Sequence, residues 1–204
     1  MKDKKIIDFT NELCSNAPVP GGGGASALMG AIGASLCSMV GELTTGKKKY
    51  AEYQADIERI LDKAKKLNSE MLDLMQKDAD AFEPLSKAYG IPKETEGRDA
   101  ILENALKVAA EAPFEIVAKC EEVTDLIEEL VIKGSRLAIS DVGVAASACQ
   151  AAVAGAAMNV YINTKLMKDR EFAAELNAKT DAIVNNVTNR CTAAYAEVLK
   201  GLKG

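Results

Sequence analysis

Apolar residues return every three or four positions through most of this chain. Ile57, Ile60, Leu61, Ala64, Leu67 and Met71 trace one face of a helix, while Glu52, Asp56, Glu58, Arg59, Asp62, Lys63, Lys65 and Lys66 give the other face the mixed charge of a solvated surface. No window alternates with the period of two that a half-buried strand requires, so the pattern predicts an all-α chain with no sheet. Helices are expected over Asp3 to Ser15, Ala25 to Thr45, Lys48 to Tyr89, Arg98 to Glu111, Pro113 to Ile132, Ser140 to Met167 and Asp169 to Leu202. Gly46, Gly90-Ile91-Pro92 and Lys133-Gly134 are stops, Pro113 reads as the start of a new helix, and Pro84 should kink or break the third.

Two of these helices differ in kind. Ala25 to Gly41 and Gly143 to Ala157 are crowded with Ala, Gly and Ser, so their backbones can approach closely. They predict a multi-helical bundle whose centre is this small-residue pair, surrounded by Leu- and Ile-bearing helices. With 204 residues and no linker rich in Pro, Gly or Ser, residues 1–204 are expected to form one domain.

Composition narrows the chemistry. A formal charge of -5 and the scarcity of basic runs argue against a nucleic-acid partner, with Lys47, Lys48 and Lys49 the local exception. The chain contains no histidine, which removes Ser-His and Cys-His nucleophile pairs and histidine metal sites. Its five cysteines never fall in C-x-x-C spacing and read as reduced core residues, so no metal site is expected. Asp8, Asn11 and Glu12 interrupt what would be the apolar part of a signal peptide, and Glu42 ends the Ala25 to Gly41 segment short of a bilayer span; a cytoplasmic protein without a membrane partner is expected.

Pro18-Val19-Pro20-Gly21-Gly22-Gly23-Gly24 strips the backbone of side chains where a helix begins. Such a run implies the close approach of something to the backbone, either a ligand drawn to free N–H groups or simply a neighbouring helix. Gly22, Gly24 and Ala27 fit a relaxed dinucleotide fingerprint, but Pro18 and Pro20 stand where its strand would be. Gly41, Gly46 and Lys47 imitate a phosphate loop, but Lys48 replaces its hydroxyl residue and no strand precedes it. Ser140 and Asp141 open the second small-residue helix, as its N-cap or as a carboxylate at the mouth of a groove. Asp78 and Phe82 share a helix face with Asp80 turned away, so one carboxylate of the pair is a candidate to point inward. Asn159 and Asn163 also share a face, but lie roughly 27 to 33 Å along the helix from Asp141, too far for one small site within one subunit.

The glycine run with Ser26, Gly46-Lys47, Asp80-Ala81-Phe82, Ala112-Pro113, Ser140 to Ala146 and the segment from Gly155 to Asn163 together resemble the formiminotetrahydrofolate cyclodeaminase/methenyltetrahydrofolate cyclohydrolase family, nearly end to end and in motif order. Ser135-Arg136-Leu137 departs from it, since the family often carries asparagine there. The resemblance implies an all-helical homodimer acting on a tetrahydrofolate derivative, with no cofactor beyond that substrate. With it, Asp141 is assigned as the principal acid/base or its orienting carboxylate with Ser140 beside it, Asp80 as a second catalytic carboxylate candidate, and the Gly21, Gly22, Gly23 and Gly24 backbone plus Ser26 as a cradle for the pterin. Lys47, Lys48, Lys49 and Tyr50 would meet the anionic glutamyl tail or form a solvated basic turn, and Asn159 and Asn163 would bind the far end of a long substrate, serve a site completed by a second subunit, or satisfy each other between packed helices. Hydrolysis of 5,10-methenyltetrahydrofolate to 10-formyltetrahydrofolate is the expected activity. The alternatives are formiminotetrahydrofolate cyclodeamination with release of ammonia, and a folate-binding helical dimer without catalysis.

Overall fold

A computed structural model describes residues 1–204 as six α-helices with no strand: α1 (Ile6–Leu13), α2 (Gly22–Glu42), α3 (Gln54–Tyr89), α4 (Arg98–Lys133), α5 (Ile139–Thr164) and α6 (Arg170–Lys203). Short 3₁₀ segments, Lys48–Tyr53 and Arg136–Ala138, lead into α3 and α5. Side-chain pairings fix the directions. Arg59 meets Glu129 and Lys77 meets Glu115 between α3 and α4, and Gln150 meets Thr192 between α5 and α6, so neighbours in sequence run antiparallel. Every helix from α2 to α6 therefore has one end at the Gly22 end of the bundle and the other at the Asp141 end.

α2 and α5 pack on each other as their composition predicts, and the α2 to α5 contacts pass through side-chain-poor positions. A methyl at Gly33 would touch the Ala145 backbone at 3.5 Å, and one at Gly155 would lie 2.5 Å from Ser26 Oγ. The pair is not enclosed on all sides, which corrects the expected arrangement. Ala27, Ala34, Cys37, Ala145, Cys149, Ala152 and Ala156 are buried, yet Ile32, Met39, Val144, Met158 and Ile162 form an exposed apolar flank, with Met158 61% and Ile162 56% accessible. Both helices are long and apolar enough to cross a membrane by length and composition, and only about half of each such window is buried in the bundle (56% and 50%).

Several boundaries differ from the sequence expectation. α2 begins at Gly22 rather than Ala25, so three of the four glycines are helical. α5 begins at Ile139, which places Ser140 and Asp141 inside its first turn, and neither side chain caps it. Asp169, by contrast, caps α6 by accepting from the Phe172 N–H at 3.0 Å. Pro84 lies inside an unbroken α3, and Pro113 inside an unbroken α4 where two helices were expected.

The Gly155 contact yields a prediction about this seam. Ser26 Oγ is held by its own bond to the Gly22 carbonyl at 2.7 Å and cannot rotate away freely. Gly155→Ala should therefore destabilise by about 1–3 kcal/mol despite alanine's better helix propensity, and a second change, Ser26→Gly, should recover most of it. Thermal melting of the two variants checks this; an unchanged melting point for Gly155→Ala would show that the seam is loose.

Candidate active site

At the Gly22 end, the loop Pro18–Gly21, the first turn of α2, the last turns of α3, the Ala109–Pro113 stretch of α4 and the end of α5 surround a pocket of about 210 Å³. Its polar side chains are Asp78, Tyr89, Asn159 and Asn163; Phe82, Leu85, Pro113 and Ile162 supply much of the apolar wall. No lysine, arginine or histidine lines it.

The glycines are explained by two neighbours. A methyl on Gly23 would sit 2.1 Å from Asp78 Oδ1, and one on Gly22 would sit 3.1 Å from Asn159 Nδ2. The absence of side chains on α2 lets a carboxylate from α3 and a carboxamide from α5 reach its backbone. α2 has no side-chain cap of its own, and the Asp78 carboxylate comes close to its open first turn, where the Gly24 N–H favours the ionised form. Burial pushes the Asp78 carboxyl above the usual carboxylate range, against the opposing pull of that N–H. Gly21 has nothing within 4 Å of its Cβ position and is open to the pocket.

The two asparagines are oriented by what their amides donate to. Asn159 Nδ2 donates to the Gly155 carbonyl at 2.8 Å; Asn163 Nδ2 donates to the Ala109 carbonyl at 3.1 Å and to the Asn159 carbonyl at 2.9 Å. Both amide protons of Asn163 are thus committed to backbone and its oxygen is the free end, while Asn159 spends one proton on backbone and keeps one. One carboxylate and two carboxamide oxygens make the pocket rich in acceptors and free of fixed cations.

The remaining sequence candidates lie elsewhere. Ser26 is buried between α2 and α5 with its hydroxyl on Gly22, and so is a packing group, not part of the pterin cradle. Gly24 lies against Pro20, outside the pocket lining. Asp80 is exposed, accepts from Gln76 Nε2 at 2.7 Å, and lines a neighbouring groove beyond Pro18 and Val19, outside the pocket that Asp78 lines. Lys47, Tyr50, Ser140 and Asp141 all gather at the opposite end. There Lys47 Nζ donates to Ser135 Oγ at 3.2 Å, and the Tyr50 hydroxyl accepts from the Arg136 N–H at 2.9 Å, which lowers the tyrosine's pKa. Asp141 and the glycine run therefore do not share a site within one copy of the chain.

Sequence reasoning underrated Asp78 and missed Pro113, Leu85 and Tyr89 as pocket walls. A signal was present: Asp78, Phe82, Leu85 and Tyr89 continue the apolar stripe that runs through Met71, Leu74 and Met75, so Asp78 is the one carboxylate in phase with the buried face of α3.

Comparison with known proteins fits this architecture. The model of the formiminotransferase-cyclodeaminase family matches residues 5–182. A methenyltetrahydrofolate cyclohydrolase of Methylorubrum extorquens is 44% identical over 177 residues, covering 85% of each chain. The formimidoyltransferase-cyclodeaminase of Sus scrofa is 31% identical over 185 residues; that match spans 89% of this chain but only 34% of the pig protein. The crystal structure of a formiminotetrahydrofolate cyclodeaminase from Thermotoga maritima superposes with a TM-score of 0.85 at 29% identity, covering 97% of this chain and 98% of the other. The chain belongs to the formiminotransferase-cyclodeaminase family.

Proposed function

We propose that this chain is a methenyltetrahydrofolate cyclohydrolase, hydrolysing 5,10-methenyltetrahydrofolate to 10-formyltetrahydrofolate, with the pocket around Asp78 as its reaction site. The observation that carries the reading is that the one charged side chain lining that pocket is a carboxylate, with no cation opposite it. The methenyl bridge is a cationic amidinium, and a carboxylate with two carboxamide oxygens and no opposing cation complements it. At about 210 Å³ the pocket is smaller than sites that enclose a whole drug-sized ligand, so it suits the ring system while the rest of the substrate lies outside. Deamination of formiminotetrahydrofolate passes through a similar tetrahedral carbon and is the second reading, supported by the cyclodeaminase relatives.

In this reading Asp78 takes a proton from water as its oxygen bonds to the methenyl carbon, converting the cation to a neutral carbinolamine. The protonated Asp78 then delivers that proton to folate N5. The carbon–N5 bond breaks, the hydroxyl becomes the formyl carbonyl on N10, and its proton leaves to solvent, one proton being released per turnover. Because the carbon is already electrophilic, one carboxylate of raised pKa and a cradle of oriented dipoles meet the demand without histidine.

The chain is also proposed to act as a homodimer through the apolar flank of α2 and α5, which carries no charge between Gly22 and Gly41 or between Val142 and Thr164. An uncharged patch is self-complementary under two-fold symmetry. A two-fold axis perpendicular to these helices would bring the Lys47, Tyr50, Ser140 and Asp141 end of one copy beside the pocket of the other. The cations near Lys47 would then meet the glutamyl tail, and Asp141 would join the reaction site.

Three outcomes test these proposals. Asp78→Asn should lower turnover of methenyltetrahydrofolate ~10²- to 10⁴-fold, as expected for loss of a general base. Because burial raises the folded-state pKa of Asp78, the folded chain holds that proton more tightly than the unfolded chain. The resulting penalty is absent below the unfolded pKa and grows as pH rises to the folded value. Asp78→Asn should therefore keep or raise the melting temperature at pH 7, and a large drop would mark a structural role instead.

In the wild type, kcat/KM should fall on acidification with a half-point above the ordinary aspartate range, and a pH profile flat down to that range would remove Asp78 as base. For the dimer, Ile32→Glu should yield monomers by light scattering with lost turnover. Mixing Asp78→Asn with Asp141→Asn chains should regain part of the activity that neither has alone. No recovery on mixing, or full activity of Asp141→Asn by itself, would exclude the composite site.

A further inference from the structure

α4 passes through Pro113 without a break, and how it does so bears on the pocket. Proline has no N–H, so the Ala109 carbonyl loses the donor that residue 113 would supply in a regular helix. Ala109 and Pro113 are both buried or nearly so, and an unpaired carbonyl there is costly. Asn163 of α5 supplies the missing donor, its Nδ2 lying 3.1 Å from the Ala109 oxygen. The second proton of the same amide goes to the Asn159 carbonyl at 2.9 Å.

We propose that Pro113 and Asn163 form a positioning pair: the carbonyl orphaned by the proline fixes the Asn163 carboxamide, so that its oxygen faces the pocket as a permanent acceptor for an N–H group of the bound ring. Both amide protons are committed to backbone, and no group of the protein donates to Oδ1. Flipping the amide would place its oxygen against two carbonyl oxygens, so the orientation has one stable state. Ala109, Pro113 and Asn163 all line the same pocket, with Asp78 also on its wall. A fixed acceptor on the wall of that pocket calls for a ring edge that brings an N–H donor, as the amino-oxopyrimidine or the N8–H of a reduced pterin does, while Asp78 remains at the methenyl carbon. This step rests on the folate reading of the pocket for the ligand, but not for the helix repair.

A four-protein cycle separates the two halves: wild type, Asn163→Leu, Pro113→Ala and the double variant, compared by thermal melting without ligand and by steady-state hydrolysis of 5,10-methenyltetrahydrofolate. Asn163→Leu should melt lower, because it leaves the Ala109 carbonyl unpaired. Pro113→Ala restores the helix's own N–H at that carbonyl, so the double variant should recover most of the lost melting temperature. Its KM should nevertheless stay raised by about three- to tenfold, the effect of one lost hydrogen bond, with kcat changed less. Failure of Pro113→Ala to rescue the melting point would overturn the repair. Recovery of a wild-type KM in the double variant would reduce Asn163 to a structural residue. If the wild type itself does not turn over methenyltetrahydrofolate, the cyclohydrolase reading fails, while the melting cycle still decides the repair.

Discussion

The first turn of α2 carries no side chains, and the geometry of the pocket depends on that absence. A methyl at Gly23 would occupy the same space as the Asp78 carboxylate, and one at Gly22 would press on Asn159. With these positions bare, α3 and α5 can each insert a polar side chain against the positive end of α2, where free N–H groups await partners. The carboxylate is thereby drawn into a half-buried position that an ordinary surface helix would not tolerate. The three bare positions let a carboxylate from a different helix approach the open end of α2, and the same contact positions the one carboxylate of the pocket.

Much of the fold could be read from periodicity because helices announce themselves through local spacing. The long stripe from Ile57 to Met71, the two side-chain-poor helices and their mutual packing all follow from patterns within one segment. The unbroken path of α4 through Pro113 could not be read that way. Proline's cost to a helix is local, but its remedy here is a carboxamide fifty residues later in sequence, brought close only by the α4 to α5 packing. The same holds for the glycine run. Sequence indicated that something approaches this backbone; that the approaching groups are Asp78 and Asn159 is a property of three helices together.

The candidate site was legible in its residue types and less so in its grouping. Asn159, Asn163 and Gly21 to Gly23 converge on one pocket, whereas Ser140 and Asp141 sit at the other end of α5. A motif conveys which residues matter without conveying which copy of the chain they serve. The exposed apolar flank running between the two ends is where this ambiguity becomes physical, because burying Ile32, Val144, Met158 and Ile162 against a second copy would stabilise association while bringing both ends together.

Asp78 and Asp80 show how environment, not residue type, separates two neighbouring carboxylates. Asp80 is two residues away and exposed, bonded to Gln76 in a neighbouring groove. Asp78 stands in phase with the apolar stripe, and burial raises its proton affinity above that of an ordinary aspartate. The Gly24 N–H limits that rise, since a hydrogen bond to the ionised form favours it. A cationic ligand in this pocket would favour the ionised form further. A chain without histidine can in this way obtain a working base from an aspartate, provided its helices hold that aspartate half out of water.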